Sequence, residues 1–178
     1  MKKYIFYKIS IITSISILFI LFFSIYMYLY NPNSIIPNRE LEKSIREQIN
    51  KHKGNIKPED CKGVTVLRFN NLNFIKKLDG IQYFTDLETL ECKVCSVSDI
   101  SALKELYKLK YLNLYKNNVK DLKPLSELIN LENLNLYDNN FYDITPMASL
   151  INLKELQIGK NPVENLQMDF YRYIIYQD

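Results

Sequence analysis

The chain has 178 residues, enough for one modest domain plus an appendage. Its 47% hydrophobic and 24% charged content fits a folded protein with three cysteines, an odd number that makes no closed disulfide framework. Of 23 Lys and Arg, Lys2, Lys3 and Lys8 precede Tyr30, which leaves 20 against all 20 Asp and Glu; that balance excludes the concentrated basic surface of a nucleic-acid binder.

After the three N-terminal lysines, Ile9–Tyr30 runs without a charge. As a helix this run would measure about 33 Å, enough for a bilayer core of about 30 Å. No alanine occurs before Ala102, and the run ends in bulky residues rather than a small-residue cleavage site. Tyr4, Phe6 and Tyr7 on one side and Tyr26, Tyr28 and Tyr30 on the other suit two interfacial aromatic belts. Residues 1–30 are therefore expected to be a cytoplasmic tail and transmembrane signal-anchor, with membrane contact through residues 9–30. The lysines favour an inside N-terminus and an extracytoplasmic remainder. Secretion after signal-peptide cleavage is the alternative.

Residues 31–39, with two prolines, read as a linker. Leu41, Ile45 and Ile49 repeat at helical spacing, Gly54 is placed to stop that helix, and Pro58-Glu59-Asp60 suggests another turn. Residues 40–63 are expected to be an N-terminal helical cap.

From residue 64 to 166 the pattern changes. Leu87, Leu109, Leu131 and Leu153 step by 22 residues, as do Leu90, Leu112, Leu134 and Leu156, and Cys92, Leu114, Leu136 and Ile158. Within each block the last two series alternate at period 2, as in a short strand with one buried face. Leu122, Leu125 and Leu128 close the coil from the other side. Asn117, Asn139 and Asn161 stand where the chain leaves each strand, where an amide can bond the backbone of neighbouring coils. Val64–Asp86 forms an irregular first coil, with Leu67 lying 23 residues before Leu90. This spacing is the signature of a leucine-rich-repeat solenoid, whose stacked coils share a core that no single coil can bury. The expected fold is α/β, with about five coils and a short parallel β-sheet on the concave face. Residues 167–178, with Phe170, Tyr173 and Ile174 at helical spacing, are expected to form a C-terminal cap.

The segment IIPNRELEKSIREQINKHKGNIKPEDCKGVTVL, the LDGIQYFTDLETL junction and the NN(V/F)xDLxPLxxL repeats resemble bacterial internalin-type leucine-rich-repeat proteins over about Ile35–Leu166. The resemblance implies a cell-surface protein that binds a partner protein through its concave face.

Apparatus for chemistry is sparse. Cys92-Lys93-Val94-Cys95 has C-x-x-C spacing, as in a redox pair or half a zinc site. Register offers a structural reading instead: Cys92 falls on the inward series of Leu114, and Cys95 on that of Asn117, a place where the repeat accepts cysteine. His52 lies between two lysines, and neither G-x-S-x-G nor a phosphate-binding glycine loop is present. Asp99, Asp121 and Asp143 recur with the fold and are expected to cap convex turns.

The strand residues that alternate with the buried leucines remain. Tyr111, Tyr115 and Tyr137 form the expected centre of a partner-binding face, with Arg68, Glu91 and Lys93 flanking and Asn113, Asn135 and Gln157 adding hydrogen bonds. The expected function is a membrane-anchored, non-catalytic protein that binds a protein partner, with no cofactor, metal, nucleic acid or small-molecule substrate. A cytoplasm-facing adaptor and a thiol-disulfide oxidoreductase using Cys92 and Cys95 are the alternatives.

Overall fold

Part of the apolar N-terminal run and most of the repeat region are seen in a computed structural model that describes residues 16–26 and 34–163. Residues 16–26 form helix α1, and all are exposed. Among the described residues no helix is long and apolar enough to cross a membrane. The expected span begins before α1 and ends after it, in residues outside the described ones, as does the expected C-terminal cap at 167–178.

Helix α2 (Arg39–Gln48) begins where Asn38 Oδ1 accepts the Leu41 N–H at 3.0 Å, and Leu41 and Ile45 turn inward from it. Its end corrects the sequence expectation. Asn50, at φ 55, stops the helix, and the Lys51 N–H donates to Arg46 O at 3.0 Å, so Gly54 plays no part. Asparagine tolerates the left-handed conformation through its short polar side chain, which makes it a helix terminator without glycine. The next turn, Pro58–Cys61, is a 3-10 helix.

Five strands follow: β1 (Val66–Asn70), β2 (Thr89–Lys93), β3 (Tyr111–Asn113), β4 (Asn133–Asn135) and β5 (Glu155–Gln157). They form one parallel sheet in chain order. Leu67, Leu90, Leu112, Leu134 and Leu156 are successive register partners, and all are buried. Four 3-10 turns (Ile81–Tyr83, Ser101–Leu103, Lys123–Leu125 and Thr145–Ser149) stack in the same order on the far side. Asp99, Asp121 and Asp143 each accept, at 2.9 Å, the N–H two residues ahead and so start the last three turns.

The extra residue of the first coil can be placed. Asn70 pairs with Lys93, 23 residues on, whereas Lys77 bridges to Asp99, 22 residues on. Between them Phe74 takes φ 68 and is 70% exposed. At the open edge of β1, the Gln48 side chain accepts the Arg68 N–H at 2.8 Å and donates to Arg68 O at 3.0 Å. Both backbone groups of an edge-strand residue are thereby satisfied by a helix side chain. Gly80, at φ 103, lets the segment before α2 close over the first coil: a Cβ there would lie 2.6 Å from Ile35 O and 2.9 Å from Ile36 Cα.

Candidate functional site

The solvent face of the sheet is built from residues that alternate with the buried leucines, and it divides into two chemically different halves. On β1 and β2, Arg68 Nε lies 2.8 Å from Glu91 Oε1 and Lys93 Nζ lies 2.6 Å from Glu91 Oε2. Burial pushes the Glu91 carboxyl up, but the hydrogen bonds from Lys93 and Arg68 outweigh it and hold the group below its ordinary value. Glu91 thus bridges the two cations, and the trio keeps one net positive charge.

Just past β3 and β4, the Tyr115 and Tyr137 rings stack with centroids 5.8 Å apart and planes at 23°. Lys116 Nζ lies 5.3 Å from the Tyr115 centroid and Lys160 Nζ lies 5.5 Å from that of Tyr137. Tyr111 lies on the same face at the start of β3, and its hydroxyl is 3.4 Å from Asn113 Nδ2.

The amides here serve the protein itself. Asn113 is 7% exposed, and its Oδ1 accepts the Tyr115 N–H at 3.0 Å. Asn135 Oδ1 accepts the Tyr137 N–H at 3.0 Å, and Asn135 Nδ2 donates to Gln157. The expectation that these side chains are adaptable contacts for a partner thus changes. Asn113 and Asn135 hold the two tyrosine backbones in place, and Gln157 is tied to Asn135.

Why the strands differ in length follows from the asparagine series. Asn117 Nδ2 donates to Cys92 O at 2.6 Å and Leu114 O at 2.9 Å, while its Oδ1 accepts the Cys95 and Val97 N–H groups at 3.1 and 2.9 Å. Asn139 repeats this with Leu114 O at 2.8 Å, Leu136 O at 3.1 Å and the Val119 N–H at 3.0 Å. The side chain has taken the carbonyl of the preceding coil, and the tyrosine N–H turns to Asn113 or Asn135 instead. Regular pairing of β3 and β4 stops after three residues. In the second coil Cys95 stands in place of the asparagine. Its thiol reaches the corresponding carbonyl, Phe69 O, only at 4.0 Å, and pairing runs on to Lys93. Asn161 keeps its bonds to Leu136 O (2.9 Å) and Ile158 O (2.8 Å), but its Oδ1 has no partner among the described residues.

Cys61, Cys92 and Cys95 are free and buried. A hydrogen bond with Cys95, with burial second, raises the Cys92 thiol well above its ordinary value; burial pushes Cys61 up to about 11. The same hydrogen bond, from the Cys92 side, lowers the Cys95 thiol, but Cys95 is fully buried. A reactive cysteine needs a thiol that is both lowered and accessible, and none of the three is both.

Residues 107–148 match the family "Leucine Rich repeats (2 copies)". An internalin from Listeria monocytogenes (inlF) is 25% identical, with a TM-score of 0.56, over 74% of this chain and 46% of its own. The leucine-rich-repeat ectodomain of the receptor kinase SOBIR1 from Arabidopsis thaliana is 19% identical over 64% of this chain and 68% of its own, with a TM-score of 0.55. The fold is an internalin-like leucine-rich-repeat solenoid. A leucine-rich-repeat protein of Leptospira interrogans also shares it, at 21% identity and a TM-score of 0.50 over 55% of this chain and 27% of its own. The chain thus spans about half the length of the Listeria internalin. No curated protein sequence matches it.

Lys116 and Lys160 complete the face, and the register of the repeat places them. Val94, Lys116, Asp138 and Lys160 each follow the outermost solvent-facing strand position, and each takes a φ between 52 and 60°. A left-handed residue there swings its side chain back toward the face, which brings the two lysines to the rings.

Proposed function

We propose that this chain is a non-catalytic interaction protein of the 22-residue internalin repeat type. A protein partner binds the concave face at Tyr115 and Tyr137, with Tyr111 beside them. The carrying observation is the stacked pair: two amphipathic rings, held by Asn113 and Asn135 just past the ends of two strands and rimmed by Lys116 and Lys160. Tyrosine supplies large contact area at low conformational cost, and a pre-ordered pair lowers the entropy lost on binding. The two lysines give the platform a basic rim, so the partner surface carries carboxylates beside its apolar contact.

Ile9–Tyr30 anchors the protein in the cell membrane, and the repeats lie on the extracytoplasmic side. Charge-free length supports the span, and Lys2, Lys3 and Lys8 support the orientation. The test has two arms. In intact cells, external protease digests the repeats of a full-length product that fractionates with membranes. From detergent extracts, wild-type protein captures a partner that the Tyr111, Tyr115 and Tyr137 triple alanine variant does not. Protection of the repeats until lysis would favour a cytoplasm-facing adaptor, and capture by the triple variant would remove the tyrosine face.

A further inference from the structure

We propose that Gly159 is a positioning residue of this face: an empty side-chain position that fixes where the Tyr137 ring lies and so sets the two-ring platform. The proposal rests on the reading of the face as a binding surface. The column that carries Asn70, Lys93, Tyr115 and Tyr137 on successive coils ends in Gly159. Its backbone does not require glycine. The described glycines with positive φ are Gly54, Gly63 and Gly80, so residue 159 adopts a conformation open to any amino acid.

Space is what the glycine supplies. A Cβ at position 159 would stand 2.8 Å from Tyr137 Cε2 and 3.0 Å from Cδ2. Carbon atoms in contact sit about 3.5–4.0 Å apart, so the ring occupies the place where a side chain would be. Tyr115 stacks on the same ring, and the Tyr137 backbone is tied to Asn135. Lys160 Nζ approaches the ring as well, and on the side toward β5 the absence of a side chain admits the ring. A methyl group at position 159 would push Tyr137 toward Tyr115 or out into solvent, and the platform would lose its shape while the leucine core stayed intact.

The test uses the full-length protein in detergent, labelled with fluorotyrosine, and four forms: wild type, Gly159→Ala, Tyr137→Ala and the double variant. Gly159→Ala is expected to move the Tyr115 and Tyr137 fluorine resonances and to lower the urea midpoint. In the Tyr137→Ala background the same substitution should cost nothing, because the clashing ring is gone. Partner capture should fall about tenfold or more in Gly159→Ala. Unmoved resonances, or an equal cost in both backgrounds, would overturn the seat. Moved rings with undiminished capture, where Tyr115→Ala/Tyr137→Ala loses it, would overturn the positioning role and leave the tyrosine face standing. Capture that survives even the tyrosine replacements would remove the binding reading, and this proposal with it.

Discussion

The β1–β2 half and the β3–β5 half of the sheet share one leucine framework, yet they present different surfaces to solvent. In the first half the strands run five residues, and Glu91 bridges Arg68 and Lys93. In the second half the strands run three residues, and two tyrosines stack. Two register positions account for the difference. One is Cys95 against Asn117 and Asn139, which decides whether a side chain takes the carbonyl of the preceding coil. The other is Glu91 against Asn113 and Asn135, which decides whether a side chain can hold the N–H thereby released. An amide pair in the coils of β3 and β4 converts the end of each strand into a mount for a tyrosine. The buried core is indifferent to the change, which is how a repeat fold varies its surface without losing its stacking.

The largest effect that would break this contrast is expected from Asn117→Ala. It strands backbone groups at Cys92, Leu114, Cys95 and Val97 in the interior, and should cost about 3 kcal/mol in urea denaturation. Asn161→Ala should cost less, because that side chain is half-buried and its oxygen is already unpaired among the described residues. Next comes Tyr115→Ala/Tyr137→Ala, which should weaken partner binding by roughly 30-fold or more while the urea midpoint moves little. Cys95→Asn sharpens the contrast from the other side. It brings an amide donor to Phe69 O, but with Glu91 at the position of Asn113 the Lys93 N–H it displaces has no amide to accept it. The change should therefore cost about 1 kcal/mol, read as a lower urea midpoint.

The smallest effects lie in the charged half. Arg68→Ala removes a pair whose arginine is 57% exposed, and should cost less than about 1 kcal/mol. Acid should act in the same direction. The folded state holds Glu91 below its ordinary value, so its contribution is complete above the unfolded carboxylate range, near pH 4.3, and is lost as pH falls through the lower folded value. Urea melts at pH 7 and pH 3 should show wild type losing stability that Glu91→Gln has already lost.

Much of the framework was legible as period. Burial repeats with the chain, so spacing alone placed Leu90, Leu112 and Leu134 inside and Tyr115 beside Tyr137. The partners of polar side chains do not follow from period. Asn113 and Asn135 occupy solvent-facing strand positions, yet a neighbouring N–H left free by Asn117 or Asn139 draws each amide back onto its own strand. The stop of α2 at Asn50 was hidden for a similar reason, since glycine is the stronger signal and Gly54 stood close by. Gly159 could be put in its column from sequence, but a missing side chain has meaning only once the neighbouring ring is seen to fill its space.

Photocrosslinking in living cells tests the central claim most directly, with a benzophenone amino acid placed in the full-length protein at one of three positions. Position 111 lies beside the tyrosine stack, position 68 lies in the charged half, and position 104 lies on the convex side. A discrete protein adduct from position 111, weaker or absent at 68 and absent at 104, is the predicted result. An adduct from position 104 with none from position 111 would contradict it, because the partner would then be reading the convex turns.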